Sequence, residues 1–362
     1  MRSPGLVASL ALLVVASSSG CYYGHLAAGQ TRLLWRRQPI VQLIEDPTTP
    51  EPLRQRLDLV RQVRAYARTL GLDVGEQYTS YVPWPGDRLV TTVVATRPGE
   101  VEAAGFRFPL IGRVPYKGFF DQSAAEREAE DLRAQGLDVC VVPVAAYSTL
   151  GWLADPVTEP MLRSDDLDLV ETLLHELVHA TAYIPDDAEF NERVANFIGR
   201  EAAARYLAEH GVAHDERAAE TLARELRERT RDSRQLAEAL QQIRAEVEAL
   251  YSGEPAGPER DAQRQRIEQR GRAALAQLSL AGYEASELAE RIPLGDACLA
   301  LRGTYTDDLP RHEAVLAALG GDLTAFIERL VGAAEREEPR AAFFAPDDAV
   351  SPLPSSPTPS HD

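Results

Sequence analysis

The sequence predicts a predominantly helical α+β protein, in which a small β-sheet packs against a pair of helices and a long antiparallel helical hairpin is attached. Three observations carry that expectation. Two β-branched runs, Arg88 to Ala95 and Asp138 to Tyr147, are bounded by turn residues and have the length of strands. An apolar stretch from Leu167 to Val178 has helical periodicity and holds two histidines four residues apart. Further on, Leu236, Leu240, Ile243, Val247 and Leu250 repeat at spacings of four and three, a Gly- and Pro-rich turn occupies 252–260, and a second helical stretch returns over 261–278.

Residues 1–20 read as a targeting segment outside the fold. Arg2 supplies a charged start, and Leu6 to Ala16 form an apolar core of signal-peptide length. The sequence Ser17-Ser18-Ser19-Gly20-Cys21 that follows resembles a bacterial lipobox, which makes Cys21 the expected acylated first residue of the mature chain. An ordinary signal peptide with a stray cysteine is the alternative. Residues 21–50 are expected to tether a lipid-anchored domain in the cell envelope, at the outer membrane if the source has one, since Tyr22 is not an acidic retention signal. The formal charge of −18 argues against nucleic-acid partners and against attraction to anionic lipid by charge. Cys140 lies within an apolar strand pattern, where a buried free thiol is expected in preference to a disulfide.

One domain is expected over 51–338. It opens on an amphipathic helix over 51–71 with Leu53, Leu57, Val60, Val63 and Ala67 on one side. Residues 79–113 are β-rich, an aromatic loop spans 115–121, and a short helix follows at 122–135. Pro143 cannot donate to a ladder, which favours an edge position for the 138–147 strand. The 148–156 loop then leads to the histidine helix, and a second helix starts near a capping box formed by Asp186 and Glu189. The hairpin is an insertion over 214–280, residues 297–335 are helical again, and the Pro- and Ser-rich stretch over 339–362 is expected to be disordered.

The histidine helix carries the chemistry. His175-Glu176-Leu177-Val178-His179 reads H-E-x-x-H, and positions four apart return to nearly the same helical face. His175 and His179 can therefore both offer an imidazole nitrogen to one Zn2+, with Glu176 beside the metal. A catalytic zinc needs a third protein ligand and keeps a position for water. Glu192 is the best candidate, one turn into the next helix, where Ala195 and Gly199 allow two backbones to approach closely.

These residues resemble the putative zinc aminopeptidase family of bacterial lipoproteins. The likeness rests on Cys21, on Gly112 to Asp121, on Ala146 to Trp152 and on His175 to Ala195, with a weaker continuation through Leu299 to Leu323. The family looks like the gluzincin class. The resemblance implies His175, His179 and Glu192 as zinc ligands, Glu176 as general base, and a peptide as substrate. It also implies a tyrosine or histidine that stabilises the oxyanion, for which Tyr147, Tyr305 and His312 are the candidates. Two rival readings are a non-catalytic envelope lipoprotein that uses the hairpin as a scaffold, and a zinc hydrolase of non-peptide amides.

Overall fold

The computed structural model describes residue 22 and residues 24–108, 112–144, 153–210, 216–303 and 309–346. The proposed signal peptide, Cys21, Tyr147, Tyr305 and most of the 148–156 loop lie outside the described residues.

Helix α1 (24–35) is followed by β1 (Gln38–Pro39), α2 (Ile40–Glu45) and α3 (Glu51–Thr69). Five strands come next: β2 (Ser80–Val82), β3 (Val90–Thr96), β4 (Phe106–Phe108), β5 (Gly112–Val114) and β6 (Tyr116–Phe119). Helix α4 (Gln122–Ala134), β7 (Asp138–Val144), β8 (Val157–Thr158), α5 (Glu159–Leu162) and α6 (Asp166–Thr181) lead to α7 (Ala188–His210). The long pair α8 (Glu216–Gly253) and α9 (Pro258–Leu275) precedes α10 (Ala285–Arg291), α11 (Asp296–Gly303), α12 (Leu309–Ala318), α13 (Leu323–Ala334) and α14 (Pro339–Phe344). The expected class, predominantly helical α+β with a small sheet, is the observed one.

Strand β3 is buried along its whole length because both its edges and both its faces are covered. It pairs antiparallel with β6 on one side and β7 on the other. Val93 and Ala95 face Ala125, Ala129 and Leu132 of α4, while Val94 packs with Ala297 and Cys298 of α11. This explains why β3 reads as a β-branched run that does not alternate apolar with charged residues. Strand β7 is an edge strand of that sheet, as Pro143 suggested, and Pro143 lies opposite Thr91.

A second sheet, ordered β1-β2-β8, feeds the site: β8 runs parallel to β2 and passes through α5 into α6. Asp165 caps α6 by accepting the Asp168 N–H at 2.9 Å. Leu169, Val170, Leu173, Leu174, Leu177 and Val178 of α6 then enter the largest core, together with side chains of α3, α7 and α13. The hairpin is antiparallel, because Gly271 meets Ile243 while Arg270 reaches back to Glu246 at 2.8 Å. It is docked on the site helix: Arg229 of α8 holds both Asp165 and Asp168 at the start of α6.

The folded body reaches further at both ends than the sequence suggests. The stretch expected to be a tether is packed instead: the Tyr22 hydroxyl donates to the Gly118 carbonyl at 3.1 Å, and Leu33 and Ile40 are buried. At the other end, the expected disorder does not begin at 339. Phe343 of α14 is fully buried, because the rings of Phe190, His312, Phe326 and Phe344 surround it. The expectation of a free thiol is also overturned. Cys140 of β7 is bonded to Cys298 of α11 across a sequence separation of 158. Both cysteines are buried, so the expected burial holds, but the partner comes from a distant helix.

Candidate metal centre

Helices α6 and α7 pack backbone against backbone, and one glycine makes that possible. A Cβ on Gly199 would lie 3.1 Å from the Glu171 carbonyl oxygen and 3.3 Å from the His175 amide nitrogen and Cβ. The two backbones thus meet at the level of His175, which brings a side chain of α7 within reach of the histidines. The connector between the helices is fastened by Asn191. Its Oδ1 accepts the Ile184 N–H at 2.9 Å and its Nδ2 donates to the Ile184 carbonyl at 2.7 Å. Glu192 follows directly and is fixed by that clamp.

The expected capping box at the start of α7 is not formed. Asp187 accepts the Phe190 N–H at 3.1 Å, so Asp187 is the cap. Asp186 takes a left-handed conformation, φ 63°, and its carboxylate accepts the Arg113 N–H at 2.8 Å. Glu189 pairs with Arg193 at 2.5 Å. The shift of the cap by one residue follows from the short connector, which needs Asp186 for its turn.

Three donor groups converge. The Nε2 atoms of His175 and His179 are 3.1 Å apart, and Glu192 lies 3.4 Å from the first and 3.7 Å from the second. All three ligand atoms fall within 4.8 Å of one another. Zinc bonds of about 2.0–2.1 Å in tetrahedral geometry set donor atoms about 3.3 Å apart, so this spacing suits a single ion. The donor chemistry suits it too, since two imidazoles and one carboxylate are a known catalytic zinc set. Burial pushes the Glu192 carboxyl up, but attraction and hydrogen bonds from both imidazoles hold it well below the usual range. Burial alone would lower the pKa of His175, yet its hydrogen bond to Glu192 and the nearby carboxylates raise it. The arginines that could have neutralised Glu192 are engaged elsewhere: Arg193 with Glu189 and Arg200 with Glu171.

Glu176 lies outside this ligand cluster, half-buried on the same helix. Its charge acts on Tyr78, whose hydroxyl pKa is pushed well up by burial first and then by Glu176 and Asp155. Tyr78 is a residue that sequence reasoning missed. It is buried and has a left-handed backbone, φ 57°, which costs a non-glycine residue energy. Its N–H donates to the Asp155 carbonyl at 2.7 Å, and Arg64 holds the carbonyls of Gly75 and Gln77. Tyr183 is a second missed residue. It sits on the connector, half-buried, with a hydroxyl pKa raised by burial and then by Glu192 and Asp186. No sequence pattern marked either tyrosine. His312, one of the oxyanion candidates, is buried among Phe190, Phe197, Phe326, Phe343 and Phe344 and is not part of the ligand cluster.

Neither the curated proteins nor the solved structures contain a match to this chain. A family model does match, over residues 21–342, and its description reads "Putative aminopeptidase". That span covers the candidate metal centre, all three sheets and the hairpin, and it supports a peptidase-like function. The chain therefore belongs to the family described as "Putative aminopeptidase".

Proposed function

We propose that the protein is a zinc-dependent aminopeptidase of the cell envelope. The convergence of His175, His179 and Glu192 at donor spacings of 3.1–3.7 Å carries this reading. Zinc bound by these residues would lower the pKa of a coordinated water to roughly 7 and polarise the scissile carbonyl. Glu176 takes the proton of the attacking water and passes it to the leaving amine, which is the work of a general base followed by a general acid. To Tyr183, whose half-buried hydroxyl feels the charge of Glu192, we assign the donation of a hydrogen bond to the carbonyl oxygen as negative charge develops there. Among the described residues β7 pairs with a strand on one side only, and its other edge is suited to an extended peptide, which adds most readily to a strand unpaired on one side.

The location belongs to the same proposal. The Cys140–Cys298 bond favours an oxidising compartment, since disulfides of this kind rarely persist in a reducing cytosol. Cys21 carries the lipid, and two or three acyl chains at about 0.8 kcal/mol per buried CH2 anchor it stably.

The test compares short peptides with a free and with an acetylated amino terminus. The expected result is metal-dependent release of the first residue from the free peptides only, lost with a chelator and restored by zinc. Equal cleavage of both sets would make the protein an endopeptidase, and cleavage of neither would overturn the reading.

A further inference from the structure

Helix α1 presents a face without charge to solvent. Gly24, Ala27, Ala28, Thr31, Leu34 and Trp35 recur at spacings of three and four, and so share one side of the helix. The opposite side, with Gly29 and Leu33, lies on the body. A Cβ on Gly29 would fall 2.1 Å from a ring carbon of Phe120, so the helix rests directly on that ring. Trp35 is 88 % exposed, Leu34 38 % and nearby Val41 55 %. These are three of the seven large apolar side chains exposed among the described residues, and they fall within eight positions of the chain. Single exposed apolar residues are ordinary, but a cluster headed by a nearly uncovered tryptophan is not.

Charge singles out the same stretch. The protein carries a formal charge of −18, yet there is no Asp or Glu from Tyr22 to Ile44, where Arg32, Arg36 and Arg37 occur. Arg36 is exposed at the end of the helix. Arg32 flanks the uncharged face, with its guanidinium 5.4 Å from the centre of the Trp84 ring. Arg37 belongs to the interior, partly buried and drawn towards Asp155. A strong negative mean charge therefore does not describe this surface.

We propose that the exposed face of α1 is a membrane-contact surface, with Trp35 and Leu34 in the interfacial zone of a bilayer and Arg36 and Arg32 against anionic headgroups. Tryptophan suits that zone because it has an apolar body and one polar hydrogen, and an arginine suits the charged layer above. The helix is about 18 Å long and can lie flat on the surface. Its position suits the anchor proposed at Cys21: Tyr22, the next residue, packs edge-on against Phe119 at 5.3 Å and so lies on the body. The surface adds to that anchor and does not require it.

The test uses the chain produced from Tyr22 onward, which keeps every described element and cannot be acylated at Cys21. It is sedimented with phosphatidylcholine vesicles, with and without phosphatidylglycerol. Binding to the vesicles that contain phosphatidylglycerol is expected, weakened by salt, about fivefold by Arg36→Gln and about tenfold by Trp35→Ala. Both side chains are exposed, so unchanged circular dichroism should accompany the loss. Absence of binding to either vesicle, or binding that ignores both substitutions, would overturn the proposal. So would self-association in solution that is lost with Trp35→Ala, because a second copy would then cover the face. Mass measurement of Cys21 on the chain recovered from cells reports the anchor separately, so failure of one reading leaves the other standing.

Discussion

Asn191 shows how much of a candidate metal site can rest on a residue that supplies no ligand. It satisfies both backbone groups of Ile184 and leaves Glu192, its neighbour, with little freedom. Two buried hydrogen bonds are lost in Asn191→Ala, and the Ile184 amide is left unpaired, a cost of about 2 kcal/mol. Asn191→Ala is therefore expected to melt at a lower temperature and to bind zinc about tenfold more weakly, by calorimetry and metal titration respectively. An unchanged zinc affinity would mean that Gly199 alone sets the approach of the helices. At this scale the sequence was readable where the geometry is local. His175 and His179 are one helical turn apart, so their shared face follows from the spacing. Glu192 needed only a short connector in addition. Tyr78 was not readable, because its burial within the field of Glu176 comes from a turn whose shape depends on Arg64, Gln77 and Asp155.

Among the elements, α6 and α7 hold the site by contact, and α8 holds α6 by charge through Arg229. Gly199→Ala tests the first of these. The added methyl meets the Glu171 carbonyl and the His175 backbone, which cannot move as a flexible side chain could. Overpacking of this kind costs about 1–3 kcal/mol, and the better helix propensity of alanine returns up to about 1 kcal/mol. A small net loss of stability is expected, with a larger loss of zinc affinity, because the separation of the helices sets the donor spacing. The heptad-like stripe of α8 was legible as a hairpin with α9. Its docking on α6 was not, since an arginine on a charged helix reads as a solvated residue. The cap of α7 was misplaced by one residue for a related reason: Asp186 and Asp187 are equally good caps by composition, and only the fold reserves Asp186 for the turn and for Arg113.

The whole molecule is tied across its length by Cys140–Cys298, which joins the edge of the sheet to α11. A bridge closing so long a loop restricts the unfolded chain strongly. Removing it with Cys140→Ser and Cys298→Ser together is expected to cost about 2–4 kcal/mol. Reduction of the wild type should lower its melting temperature by a similar amount, while the double variant should ignore the reductant. Equal melting temperatures throughout would mean that the thiols are not paired in solution. Sequence alone did not pair these cysteines, because the contact depends on α11 crossing behind β3 and β7. The ends of the fold were misjudged on composition. Proline and serine after 350 coloured the reading of 339–346, where Phe343 has a buried place, and the distance from Cys21 to the first long helix suggested a spacer.

Whether His175, His179 and Glu192 hold a zinc ion beside Glu176 is decided by metal content measured together with turnover. Wild type and Glu176→Gln are expected to carry one equivalent of zinc each, with peptide hydrolysis falling by about 100-fold or more in the variant. Glu192→Ala is expected to lose both metal and activity. Purified wild type that binds no zinc, or Glu192→Ala that retains it in full, would rule out a zinc site built on these three residues.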